Sequence, residues 1–189
     1  NIDYSSINKN SKAYEVLTNL SSTKNNIILD FNYTASTRLI LKQCGLSDED
    51  IDNRLIKVHG EASNNDIIFG VEDNAGIKKE HVFLRKAYNI KYKALNFSEL
   101  YDRIKSVAIF GHSLGETDHT YFNKLFQESC MYNKFSTNNN KEFWLFYYKE
   151  NGYHCMMQQL DSLTHNSLTS FRQYNRVNFI NTDKEKVFI

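Results

Sequence analysis

Val107-Ala108-Ile109-Phe110-Gly111-His112-Ser113-Leu114-Gly115-Glu116-Thr117-Asp118 is the stretch on which the fold turns. Four apolar residues run into a glycine, polar residues follow, and then Tyr121, Phe122, Leu125 and Phe126 recur at helical spacing. The pattern predicts a buried strand, a tight turn and an amphipathic helix. A strand feeding a helix through a glycine turn is half of a βαβ unit. Its turn lies at the carboxyl end of the strand, where open α/β sheets bind their ligands.

Three readings of this turn compete. Gly111-His112-Ser113-Leu114-Gly115 matches G-x-S-x-G, the nucleophile elbow of α/β-hydrolases, with Ser113 as the covalent nucleophile. A second reading is a ligand loop, in which Gly111 admits a close backbone approach and the following helix start offers N–H groups to an anion. In the third, Ser113 and Glu116 form a capping box and do nothing more.

Working outward, Ala13, Val16, Leu17 and Leu20 predict a helix over about residues 10–20. Residues 27–31 and 55–58 read as strands. A helix carrying Leu39, Ile40 and Leu41 stops near Gly45, and residues 47–50 read as a polar connection or single turn. Residues 66–70 read as a further strand, and 79–91 and 97–105 as helices. After the central unit come an almost wholly aromatic strand at 143–148, helices at about 152–163 and 166–173, and short strands near 177–180 and 187–189. Strands alternating with helices imply a mostly parallel sheet with both faces covered, and the continuous apolar runs agree. In such a sheet strands 27–31, 55–58 and 107–110 point the same way.

Length and composition suit one α/β domain over residues 1–189. A net charge of +1 gives no support for binding nucleic acid. No stretch has the length and apolarity of a membrane-crossing helix. Cys44, Cys130 and Cys155 are odd in number and widely spaced, so neither a disulfide framework nor a metal knuckle is expected, and a cytoplasmic protein is. The histidines show no metal-ligand spacing, so no metal is assigned. The chain has no proline and starts Asn-Ile-Asp, without methionine. The expectation is the C-terminal part of a longer protein.

Three predicted strands end in Asn32-Tyr33-Thr34, in His59-Gly60 and in Gly111-His112-Ser113. If all are parallel, Asn32, His59 and the 111–118 loop line one crevice. Each has a plainer reading as well: Asn32 and Asp118 as helix-start residues, Tyr33 as packing, His59 and His112 as turn residues.

Asp-Phe-Asn-Tyr-Thr (30–34), Val-His-Gly (58–60), Ile-Ile-Phe-Gly (67–70) and Ile-Phe-Gly-His-Ser-Leu-Gly-Glu-Thr-Asp (109–118), in this order, resemble the bacteriophage abortive-infection AbiH family over roughly residues 25–165. AbiH proteins are in turn similar to sirtuin-like NAD-binding domains of phage-defence systems. The resemblance implies a three-layer, Rossmann-like α/β fold. It matches Asn32 to an asparagine near the nicotinamide ribose and His59 to a histidine acting on a ribose hydroxyl. It places Tyr33, Thr34, Gly60, Gly111, His112, Ser113 and Asp118 on the nucleotide-binding side. Thr34 stands where the sirtuin-like domains carry Asp, and the family's glycine-rich Gly-Asn-Gly-Phe-Asp turn does not occur before Ile27.

What the resemblance implies is a cytoplasmic phage-defence protein that binds NAD and hydrolyses it, answering a phage-derived trigger protein and open to oligomer formation. A neutral histidine suits the base role at physiological pH. Two alternatives stand beside this. One is a sensing or interaction module that keeps the fold without catalysis. The other is a serine hydrolase, for which Asp118 with His154, or Asp161 with His165, satisfies the required chain order after Ser113.

Overall fold

The computed structural model describes residues 8–23, 25–67, 70–71, 75–85, 100, 103–131 and 140–183. Those before Val71 form one compact unit, and Val71–Asp183 form a second. The middle of the strand expected at 66–70, residues 86–91 of the helix expected at 79–91, most of the helix expected at 97–105, and the strand expected at 187–189 lie outside the described residues.

The first unit begins with α1 (Lys12–Ser22), whose N-cap Ser11 accepts the Tyr14 N–H at 3.1 Å. Strand β1 (Ile28–Asp30) leads into α2 (Ser36–Gln43), then the single turn α3 (Asp48–Asp52), then β2 (Leu55–Lys57). Gly45, at φ +91°, stops α2 as its position in the sequence predicts. Strands β1 and β2 are parallel, with Ile28 opposite Leu55 and Asp30 opposite Lys57. Two parallel neighbours need a crossover, and α2 and α3 supply it. The Val58 N–H donates to Asp30 O at 2.9 Å and carries the pairing one step further. Leu41, Ile51 and Val58 are the buried apolar residues here. Arg54 is nearly buried, and its guanidinium donates to Thr23 O at 3.0 Å, just past the end of α1, where a cation suits the unpaired carbonyls.

The second unit holds a three-stranded parallel sheet in the order β3 (Ser106–Ile109), β4 (Glu142–Tyr147), β5 (Arg176–Asn181). Helix α4 (His119–Ser129) follows β3, and α5 (Lys149–Leu163) and α6 (Leu168–Tyr174) connect β4 to β5. The aromatic run takes the central strand, where both edges are paired. Its Phe143 meets Phe126 of α4 and Phe171 of α6, with ring centroids 5.7 and 4.8 Å away. Leu145, Leu160 and Leu163 close the same core.

The parallel α/β architecture is as the alternation of elements predicts, but the described strands fall into two sheets. Strands 27–31 and 55–58 do point the same way, whereas strand 107–110 pairs within the second unit. One helix differs in kind: Lys79–Leu84 is a 3₁₀-helix rather than the start of an α-helix. Leu84 O accepts the Val71 N–H at 2.9 Å and Arg85 bridges Val71 in parallel, so the chain leaves the helix for extended pairing.

Two outcomes follow from these contacts. Phe143→Ala deletes the ring shared by Phe126 and Phe171, and should lower unfolding stability by about 3–5 kcal/mol, read from urea denaturation. Between α2 and α3, the Lys42 ammonium lies 2.8 Å from Asp48 and holds its carboxyl below the ordinary aspartate value of 3.8, with Arg38 adding to the effect. A lowered folded-state value means stability present above the ordinary value and lost as pH falls through the lowered one. The urea midpoint should therefore drop as pH is taken below about 4, and Asp48→Asn should shallow that drop.

Candidate functional site

At the carboxyl end of β1 the chain reads Asp30-Phe31-Asn32-Tyr33-Thr34. At that of β2 it reads Lys57-Val58-His59-Gly60. Because β1 and β2 are parallel neighbours, these two segments leave the sheet side by side. Their centre is an ion pair between two residues that are not among the expected site residues. Lys57 Nζ lies 2.8 Å from Asp30 Oδ2, with both side chains almost fully covered. The same ammonium donates to Asn32 O at 2.5 Å and to Thr34 O at 2.6 Å. An ammonium has three protons, and these three oxygens use them. Glu61 adds a second carboxylate 3.8 Å away. On the other side of the aspartate, Oδ1 accepts the Asn32 backbone N–H at 2.9 Å and its side-chain amide at 3.2 Å.

His59 is only 7% exposed. Its ring stands edge-on to Phe31 at 5.5 Å and stacks on the exposed Tyr33 at 5.8 Å. Gly60 turns the chain away at φ +77°, and here glycine is obligatory: a Cβ would stand 2.0 Å from Asp66 O. Asp66 closes the turn further by accepting the Glu61 N–H at 2.7 Å. Thr34 Oγ1 bonds Ser36 Oγ at 2.8 Å at the start of α2. Of the predicted site residues, Asn32, Tyr33, Thr34, His59 and Gly60 thus belong to this one strand edge.

Gly111, His112, Ser113 and Asp118 belong to the second unit, on the loop after β3. That loop is braced from within. The Leu114 N–H donates to His112 Nδ1 at 2.9 Å, so Nδ1 carries no proton. The proton therefore sits on Nε2, which donates to Asp118 Oδ2 at 3.2 Å. His112 also meets Phe122 of α4 edge-on at 5.2 Å. Leu114 is left-handed at φ +55°, a conformation costing about 1–2 kcal/mol for a non-glycine residue. Its side chain is completely buried, which offsets that cost. His119 Nε2 lies 3.0 Å from Leu114 O and 2.9 Å from Gln159 Oε1 of α5, tying the loop to the helix layer.

This geometry is neither an elbow nor a capping box. In an elbow the serine itself occupies the strained turn. Here the strained residue is Leu114, and helical structure begins only at Glu116, as a 3₁₀ turn before α4. The N-cap positions of that turn and of α4 are Gly115 and Asp118, neither with a side-chain cap hydrogen bond, so Ser113 caps neither. Ser113 is exposed, its hydroxyl 3.4 Å from where a Cβ on Gly115 would stand. Partial burial pushes the thiols of Cys44 and Cys130 up from their ordinary value, which lowers their thiolate fraction at neutral pH. Among the described residues no cluster of His, Cys, Asp or Glu could hold a metal ion, and no helix is long and apolar enough to cross a membrane.

The signals that could have found Asp30 and Lys57 are in the sequence. Each is a lone charge inside an apolar strand, Ile-Ile-Leu-Asp-Phe and Leu-Ile-Lys-Val, and the parallel register sets them opposite one another. No curated protein and no solved structure matches the chain. Residues 2–145, about three quarters of it, match the family described as Bacteriophage abortive infection AbiH. That span takes in both strand ends of the first unit and the whole braced loop, and the chain belongs to the AbiH family of bacteriophage abortive infection.

Proposed function

We propose that the chain serves abortive infection by binding NAD and hydrolysing its nicotinamide–ribose bond, with His59 and Asn32 at the reacting end. What supports this reading is the edge formed by β1 and β2. It presents a nearly buried histidine beside an exposed asparagine, at the carboxyl ends of parallel strands where α/β sheets take their ligands. Water adds to ribose C1′ as the C1′–N bond breaks, and the bonding pair goes to the nicotinamide ring nitrogen. The water gives up one proton, for which His59 is the acceptor. The transition state has oxocarbenium character, and Asn32 orients water or a ribose hydroxyl without adding charge. Tyr33, stacked on His59, offers an exposed aromatic face to a base or nicotinamide ring.

A second reading, a non-catalytic sensing module, is favoured by one specific observation. In the braced loop His112 bonds both the Asp118 carboxylate and the Leu114 N–H.

NAD consumption by the full-length protein, with nicotinamide release followed by chromatography, separates the two. Removing a positioned general base typically lowers turnover by about 10²–10⁴-fold, so His59→Ala should do so while NAD binding falls much less. Asn32→Ala should come close to the same loss. A wild-type protein that binds NAD without consuming it favours the sensing module. One that does neither, with or without a phage lysate as trigger, ends the NAD reading.

A further inference from the structure

The Asp30–Lys57 pair does more than neutralise itself. Every polar group of the pair that faces the 30–34 turn is bound to that turn. The aspartate holds Asn32 at its backbone N–H and its side-chain amide, and the lysine holds it at its carbonyl. The Thr34 carbonyl is held by the same ammonium. Asn32 is thereby fixed at three points, although its side chain lies at an exposed position.

The chemistry of the partner also decides which way the amide faces. An ionised carboxylate accepts hydrogen bonds and donates none, so the NH₂ group of Asn32, not its oxygen, must face Asp30. Asn32 Oδ1 is then the end turned away from the pair. The group it can recognise is a hydrogen-bond donor: a hydroxyl or a water molecule, not a phosphate oxygen or a carbonyl. Lys57 takes the other carboxylate oxygen, its ammonium donating to Oδ2 at 2.8 Å.

We infer that Asp30 and Lys57 are positioning residues, which lock the Asn32 amide so that it presents an acceptor to a ligand hydroxyl or to water. The inference rests on the NAD reading for what the hydroxyl belongs to, but not for the lock itself. Neither residue touches the ligand; both act through Asn32.

Two measurements on the full-length protein test it, with Lys57→Met as the disrupting variant and Lys57→Arg as the conservative one. The first is amide hydrogen exchange over residues 30–36. Lys57→Met should raise exchange there, and Lys57→Arg should restore protection. The second is steady-state NAD hydrolysis. A reacting group misplaced by about 1 Å can cost about 10²-fold, so Lys57→Met should lower kcat by about that factor with KM changed little, and Lys57→Arg should recover most of it. If Lys57→Met does not fold because it strands a buried carboxylate, the neutral pair Asp30→Asn with Lys57→Met replaces it and carries the same expectations. Unchanged exchange over residues 30–36 overturns the lock, whatever the enzyme does. Raised exchange with unchanged kcat in an NAD-consuming wild type overturns the positioning role. If the wild type consumes no NAD, the NAD reading falls, and the lock is judged on exchange and on the Asn32 side-chain NH₂ resonances, which the lock requires to shift in Lys57→Met.

Discussion

A buried aspartate facing a lysine across two parallel strands is the constraint on which the first unit depends. Taking two charges out of water is expensive, and mutual attraction alone does not always repay it. Here the remaining hydrogen-bonding capacity is spent as well, three acceptors on the ammonium and two N–H donors on the aspartate. That completeness ties the pair to one register. A slip of one residue between β1 and β2 would put Lys57 opposite an apolar side chain and strand both charges. So the pairing of the two described strands of this sheet is pinned in register by a cross-strand ion pair.

The two strand ends use their polar residues differently. After β1 and β2, the ion pair orders the backbone and leaves Asn32 and Tyr33 exposed beside a covered His59. After β3, two polar residues of the loop, His112 and Asp118, are bonded to each other while Ser113 stays exposed. His112 and His119 bond the Leu114 backbone, Asp118 bonds His112, and the Leu114 side chain is completely buried. The same residue types thus serve presentation in one place and bracing in the other. The difference arises from Leu114: a large apolar side chain in a left-handed turn has to be held there.

How much of this was legible in the sequence follows from the range of the interactions. Strand and helix positions rest on local periodicity, and Gly45 and Gly60 announce their turns, so the alternating parallel architecture and the junctions of Asn32 and His59 could be read directly. The role of Ser113 could not. G-x-S-x-G and S-x-x-E describe local spacing, while the path of the loop is set by the burial of Leu114 and by a histidine reaching an aspartate six residues on. The Asp30–Lys57 pair joins residues 27 positions apart. Each charge taken singly looks like the ragged end of a strand, and only the register makes them partners.

Proline-free chains must turn by other means, and this one uses left-handed residues: Gly45, Gly60 and Gly111, with Asn65, Leu114, Asn140, Lys149, His165 and Asn166. The consequence is kinetic. Slow refolding phases of tens of seconds commonly come from prolyl isomerisation, and no bond in this chain can supply one. Bringing parallel strands together across their helical crossovers carries an entropic cost that grows only slowly with loop length. A chain built this way reaches its native turns without waiting on a peptide bond.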